Sequence, residues 1–199
     1  MTLKHVAVGL ALVLTLPAGV LAATWNIDPD HSYVGFKVRH LMVSNVKGSF
    51  DTYTAQIDLD EQDLTRSKVS VSIATASVNT NVEKRDEHLR SADFFDVAKF
   101  PTMTFVSKKV TRQGAESFAV TGDLTLHGVT REVILAVEGL TQESLDPWGN
   151  LRRGATAIAK INRKDFGLTW NKALETGGVV VGEDVDILLE IELIKPKAQ

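Results

Sequence analysis

The densest cluster of reactive side chains lies in RDEHLRSADFFDVAKFP, Arg85 to Pro101, where two arginines, a histidine and four carboxylates alternate with three phenylalanines. His88 with Asp86 has the make-up of a general acid–base pair, and Ser91 beside them completes the residue types of a nucleophilic triad. Nothing marks Ser91 as a strained nucleophile, however. The chain has no G-x-S-x-G elbow, no Walker loop, no H-E-x-x-H and no dinucleotide fingerprint, and Gly177, Gly178 and Gly182 have the wrong spacing for one. Four further candidates for metal ligation, His31, His40, His88 and His127, include no pair at helical i,i+4 spacing, and there is no cysteine to supply a thiolate. These polar residues are expected to cap, bridge and satisfy backbone groups. No catalytic residue, metal site or cofactor is assigned.

Positioning that cluster falls to one helix and the strand after it. Thr80 and Glu83 stand at capping-box spacing, and Val82 to Ser91 holds good helix formers without Gly or Pro, which predicts a short helix with Val82, Arg85, Asp86 and Leu89 on or near one face. Phe94, Phe95 and Phe100 follow as an apolar bracket, and Pro101 begins the next strand. A weaker helical turn is expected at Glu61 to Ser67. The Arg85–Pro101 stretch therefore reads as a lid on one end of a barrel, its rings in the core and its charges solvated. Beside an apolar lumen such a lid is also a gate.

Most of the remaining chain alternates with period two, as strands with one buried face do. In VGFKVRHL, Val34, Phe36, Val38 and His40 share a face; in EDVDILLEIELI, Val185, Ile187, Leu189, Ile191 and Leu193 do. About eight strands are visible, separated by turn-forming groups such as His127-Gly128 and Asp146-Pro147-Trp148-Gly149-Asn150. Many closely spaced strands with one helical insertion predict an all-β, antiparallel barrel, because closure removes the edges that long strands would expose. Eight strands stand at the threshold between a solid interior and one that holds a ligand. Ala155, Ala157 and Ala159 form one small-residue face and Ser70, Ser72 and Ala74 another; if either points inward, room remains for a guest.

The 199 residues suffice for one ordinary domain, and the net charge of -3 offers no long-range attraction to nucleic acid. The opening MTLKHVAVGLALVLTLPAGVLA has a basic Lys4, an apolar run from Val6 to Leu16, a Pro17–Gly19 break and small residues before Ala23. It reads as a signal peptide over residues 1–22, cleaved after Ala22 or Ala23 and leaving a barrel domain over 23–199 in the periplasm. The absence of cysteine means that the exported chain holds together by packing alone, with no lipid-accepting cysteine after the leader.

Four stretches together resemble the YceI-like family of periplasmic lipid-binding proteins: WNIDPDHSYVGFKVRHL with VKGSF, RDEHLRSADFFDVAKFPTMTF, GDLTLHGVTREV, and the tail from Asp165-Phe166-Gly167-Leu168 through EDVDILLEIEL. The resemblance implies an extended lipocalin-like antiparallel barrel whose amphiphilic cavity holds a long isoprenoid chain, a polyprenol derivative or the tail of a respiratory quinone, without catalysis. It carries no headgroup site that transfers residue by residue.

Strands of about ten residues rise ~33 Å, and a tilt of roughly 40° leaves a tube near 25 Å long, suited to a narrow, flexible guest. Phe36, His40, Phe94, Phe95 and Phe105 are expected at the ligand, with Arg85, His88 or His40 as donors to its head. Charges from Glu83 to Arg90 cancel, which favours a neutral polar head, a quinone or an alcohol, over a pyrophosphate. Trp148 and Trp170, in loops, either touch membrane or ligand or clamp their own turns. Transient membrane contact and a homodimer are compatible with such a carrier. Two alternatives stay open: a hydrolase or transferase acting on a lipid head through His88 and Asp86, and a protein-interaction module with a solid barrel.

Overall fold

In the computed structural model, residues 23–175 and 177–195 are described; the leader expected over residues 1–22 lies outside them. The barrel wall consists of eight staves, of which the first three are each broken in two. Strands β1 (Ala23–Ile27) and β2 (Tyr33–His40) make the first, β3 (Ser44–Phe50) and β4 (Tyr53–Leu59) the second, β5 (Lys68–Ala74) and β6 (Val78–Asn79) the third. Then come β7 (Thr102–Arg112), β8 (Phe118–Leu126), β9 (Val129–Glu138), β11 (Leu151–Asn162) and β12 (Val181–Lys195), with the short β10 (Ser144–Leu145) on the outer edge of β11. Every neighbouring pair is antiparallel.

Closure follows from the pairing of β12. It pairs with the full length of β11, from Leu151↔Lys195 to Asn162↔Asp184, so its other edge must serve both halves of the first stave. It does: Ile27 lies opposite Leu193, and Tyr33 to His40 lie opposite Glu190 to Val181. The break between β1 and β2 falls at Asp28–Ser32, where Pro29 has no N–H to give the ladder and the Asp28 carboxylate accepts from the Asp30 N–H at 3.1 Å. A single 3₁₀ turn, Thr75–Ser77, breaks the third stave, and another spans Leu64–Arg66 within the expected Glu61–Ser67 turn.

The two ends differ. At one end Trp25, fully buried, packs with Ile57, Leu59 and Leu193, while the Arg153 guanidinium and the Lys195 ammonium each lie 5.5 Å from its ring centre. At the other end the helix α1 (Glu83–Arg90) follows β6 and leads through Phe94 and Phe95 into β7. The expected capping box does not form. Val82 occupies the N-cap without a side-chain bond, and Thr80 instead gives its N–H (2.9 Å) and hydroxyl (2.5 Å) to the buried Asp86 carboxylate inside the first turn. Spacing alone could not distinguish these arrangements, because both satisfy backbone groups near the same helix start.

Candidate functional site: an apolar bore under a helical lid

Alternation decides what faces inward. Val185, Ile187, Leu189, Ile191 and Leu193 of β12 and Val34, Phe36 and Val38 of β2 all line one internal cavity of about 310 Å³, within the range of small-ligand sites. Its walls run from Leu59 and Leu193, beside Trp25, to Leu89, Phe94 and Phe95 under α1. Of the lining side chains only Ser67 and Arg163 carry polar atoms. The two small-residue faces divide: Ala155 and Ala157 line the cavity, whereas on β5 it is Val69, Val71 and Ile73 that do, leaving Ser70 and Ser72 on the outer face. The barrel is hollow partly because β11 brings alanine where its neighbour β12 brings leucine, with Ala157 opposite Leu189.

Aromatic rings gather at the lidded end. Phe50 stands 5.9 Å from Phe36 and meets Phe95 edge-on at 5.5 Å, linking β2, β3 and the segment after α1. Phe36 sits opposite Gly48, and a Cβ there would lie 2.6 Å from its ring, so the glycine makes room for the phenylalanine. Phe94 packs against Trp170 (5.1 Å) and His88 (5.0 Å).

Of the residues expected at the ligand, the structure brings Phe36, Phe94, Phe95 and Phe105 to the cavity wall. The polar candidates lie elsewhere. His40 ends β2 at the hairpin, paired with Ser44. Arg85 turns back to the hinge of its own lid, donating from Nε to the Thr80 hydroxyl (2.7 Å) and from Nη2 to the Thr80 carbonyl (2.8 Å). His88 Nε2 meets Asp93 at 2.9 Å, and Arg90 donates to the carbonyls of Ala76 (2.9 Å) and Val78 (3.0 Å). Arg85 and Arg90 thus tie the lid to its hinge and to the wall, while Leu89, Phe94 and Phe95 face the bore and Phe100 packs on the His127 ring at 4.4 Å. Trp148 is exposed in its turn, whereas Trp170 packs on His88 at 4.9 Å.

A catalytic cluster is not assembled from these groups. Asp86 faces Thr80 and His88 faces Asp93, so the acid–base pair is not joined, and the Ser91 hydroxyl donates to the His88 carbonyl, not to its ring. Asp28, His31 and Glu192 place possible ligand atoms within 4.8 Å of one another, but the protein's own Arg152 serves them, with Nη1 donating to both carboxylates. Arg152 also holds Asp146 (2.8 Å). Burial would raise the Asp146 carboxyl, but the bonds from Arg152 and Asn150 and from two backbone N–H groups outweigh it and hold the group far below the usual carboxylate range. Asp28 is likewise lowered, chiefly by His31, whose own pKa the same bond raises.

Phe50, Leu89 and Arg163 are bore residues that the sequence reading missed. For Arg163 the signal was present: it continues the odd-numbered face of Ala155, Ala157, Ala159 and Ile161.

Comparison with known proteins follows the same boundaries. Residues 25–193 match the model of the YceI-like domain. A UPF0312 protein of Photorhabdus laumondii is 40% identical over 200 residues, covering 98% of this chain and all of the relative. The crystal structure of the Campylobacter jejuni YceI protein superposes with a TM-score of 0.68 at 35% identity, over 80% of this chain and 90% of that one. A polyisoprenoid binding domain from Saccharophagus degradans, implicated in plant cell wall breakdown, shares the fold at TM-score 0.64 and 18% identity, over 88% of this chain and 99% of its own.

Proposed function

The chain belongs to the YceI-like family, and from that premise, together with the closed apolar bore, we propose that it binds one isoprenoid chain and carries or sequesters it in the periplasm, without a chemical step. The observation that carries this reading is the continuous hydrocarbon lining between Trp25 and the lid. Among solved proteins of this fold, one is a polyisoprenoid binding domain.

The energetics support it. Each buried methylene equivalent contributes ~0.8 kcal/mol, so a five-carbon prenyl unit contributes about 4 kcal/mol, and three or four units outweigh much or all of an association cost of roughly 4–15 kcal/mol. Polyprenols and isoprenoid quinones both offer such tails. The signal-like opening, MTLKHVAVGLALVLTLPAGVLA, supports export. At the lidded end, the β2–β3 hairpin exposes Leu41, Met42 and Val43, Val43 by 75%, which suits transient contact with a membrane from which a lipid is drawn. Neither alternative has a comparable observation behind it: the His88–Asp86 pair is not joined, and the interior is not solid.

The test is titration of the delipidated protein with geranylgeraniol and with a ubiquinone, followed by tryptophan fluorescence. Saturable binding of at least one is expected and, where both bind, each should displace the other. Absence of saturable binding to both would refute the proposal.

A further inference from the structure

One end of the bore lies under a lid, and the other is filled by a plug. The plug is Trp25, fully buried against Ile57, Leu59 and Leu193, three residues of the bore wall. It stands where the wall stops, since the next residue, Asn26, lies opposite Ile194 and β12 ends at Lys195. The Arg153 guanidinium and the Lys195 ammonium, each 5.5 Å from the indole centre, are themselves held by loop carboxylates, Arg153 Nη2 by Glu143 at 3.4 Å and Lys195 Nζ by Glu61 at 2.9 Å. Apolar side chains and two anchored cations thus hold the indole in place.

Nothing along the bore holds a polar head. Among the described residues only Ser67 and Arg163 bring polar atoms to its lining, and both are engaged elsewhere. Ser67 Oγ accepts from the Asp60 N–H at 3.1 Å, and Arg163 Nε donates to the Gly182 carbonyl at 2.8 Å. We infer that the guest lies with its head outside the lidded end and its tail against the plug, so that Trp25 is a chain-length stop that determines which isoprenoids the bore accepts.

The length follows from the wall. Val181 and Leu193, the first and last lining residues of β12, are twelve residues apart, ~40 Å along a strand and ~30 Å along an axis tilted by roughly 40°. An extended prenyl unit adds four carbon–carbon bonds of ~1.5 Å, about 5 Å of zigzag, so about six units fit between lid and plug. A unit that moves from a bilayer into the bore exchanges one hydrocarbon surrounding for another. A unit that the stop keeps out must stand in water, which disfavours it by about a thousandfold for its five carbons.

The inference rests on the bore being an isoprenoid site, and its test keeps the two apart. Phosphatidylcholine vesicles carrying equimolar linear prenols of three to nine units are incubated with the delipidated protein, and native mass spectrometry reads the adducts. In the wild type, chains of up to about six units should load, with the nine-unit prenol at least tenfold under-represented. Ala55 lines the bore and packs against the Trp25 cluster, so Ala55→Phe should move the cut-off at least one unit shorter. Trp25→Leu should move it at least one unit longer. Equal loading of all lengths by the wild type, or a cut-off that either folded variant leaves in place, overturns the stop while leaving the carrier function standing. Loading of no prenol overturns both. Should Trp25→Leu not fold, the wild-type cut-off and Ala55→Phe decide, since a limit that ignores a ring added beside the plug is not set there.

Discussion

Replacing Ala157 with tryptophan should stopper the bore without disturbing the wall. Ala157 is buried, lies opposite Leu189 of β12 and Val137 of β9, and lines the cavity far from either end of β11. An indole here would project into a space of about 310 Å³. A tryptophan side chain buries on the order of 200 Å² of its own surface. A guest displaced from that contact forfeits ~5 kcal/mol at about 25 cal/mol per Å², more than three decades in Kd. The wall should tolerate the change, because the new ring fills vacant space instead of forcing neighbours out of their rotamers; a stability change within roughly 1–3 kcal/mol covers residual overpacking. The assay pairs a geranylgeraniol titration with far-ultraviolet circular dichroism and a urea melt. Native β-sheet with binding lost is the expected result. Native β-sheet with Kd within threefold of wild type would refute the placement of the guest along β11.

Further outcomes follow from other parts of the molecule. A Cβ at Gly122 would come within 2.5 Å of the Phe105 ring and 2.6 Å of the Val106 carbonyl oxygen, so Gly122→Ala should lower stability in urea by about 1–3 kcal/mol; a change below ~0.5 kcal/mol would show the ring free to move. Asp28 and Asp146 titrate below their unfolded values, so their contribution is present above an unfolded aspartate pKa of ~3.9 and is lost as pH falls through the depressed folded values. Thermal melts from pH 7 to pH 3 should therefore show a smaller drop in Tm for Arg152→Met than for the wild type, and parallel drops would contradict the network. His31 acts in the opposite sense, its support complete below an unfolded value of ~6.5 and fading as pH rises through its raised one. Val43→Asp, at the exposed hairpin tip, should slow lipid exchange between protein and vesicles about tenfold, the equivalent of one apolar side chain withheld from the membrane, with Kd in solution unchanged. An unchanged exchange rate would remove the hairpin from membrane contact.

Much of the wall was legible because period-two alternation is a local property. Val34, Phe36 and Val38, and the run from Val185 to Leu193, share an inward face in the structure as they do in the sequence. The breaks in the first three staves were less visible: Asp51-Thr52 and Thr75–Ser77 are short polar interruptions whose role depends on which strand lies alongside, a non-local matter of register. The same ignorance of register left the alanine and serine faces undecided until their neighbours were known. In the lid, Phe94 and Phe95 lie on the cavity wall while Phe100 packs on His127 instead, and Arg85, His88 and Asp86 found local partners that composition cannot foresee. Arg163 was overlooked for a different reason. It keeps the parity of an inward face, yet a basic residue at the end of a strand ordinarily reads as surface, and only the carbonyls of Val181, Gly182 and Leu168, distant in sequence or around a turn, make its burial tolerable.

The central claim, a hollow barrel that shelters one hydrocarbon chain, is tested most directly by native mass spectrometry of the protein purified from an expressing cell, with solvent extraction of whatever it carries. A discrete adduct at one-to-one stoichiometry, extracted as a single-chain isoprenoid and absent from Ala157→Trp, is the result expected here. A bare polypeptide mass that stays bare after incubation with isoprenoid-loaded vesicles would contradict it.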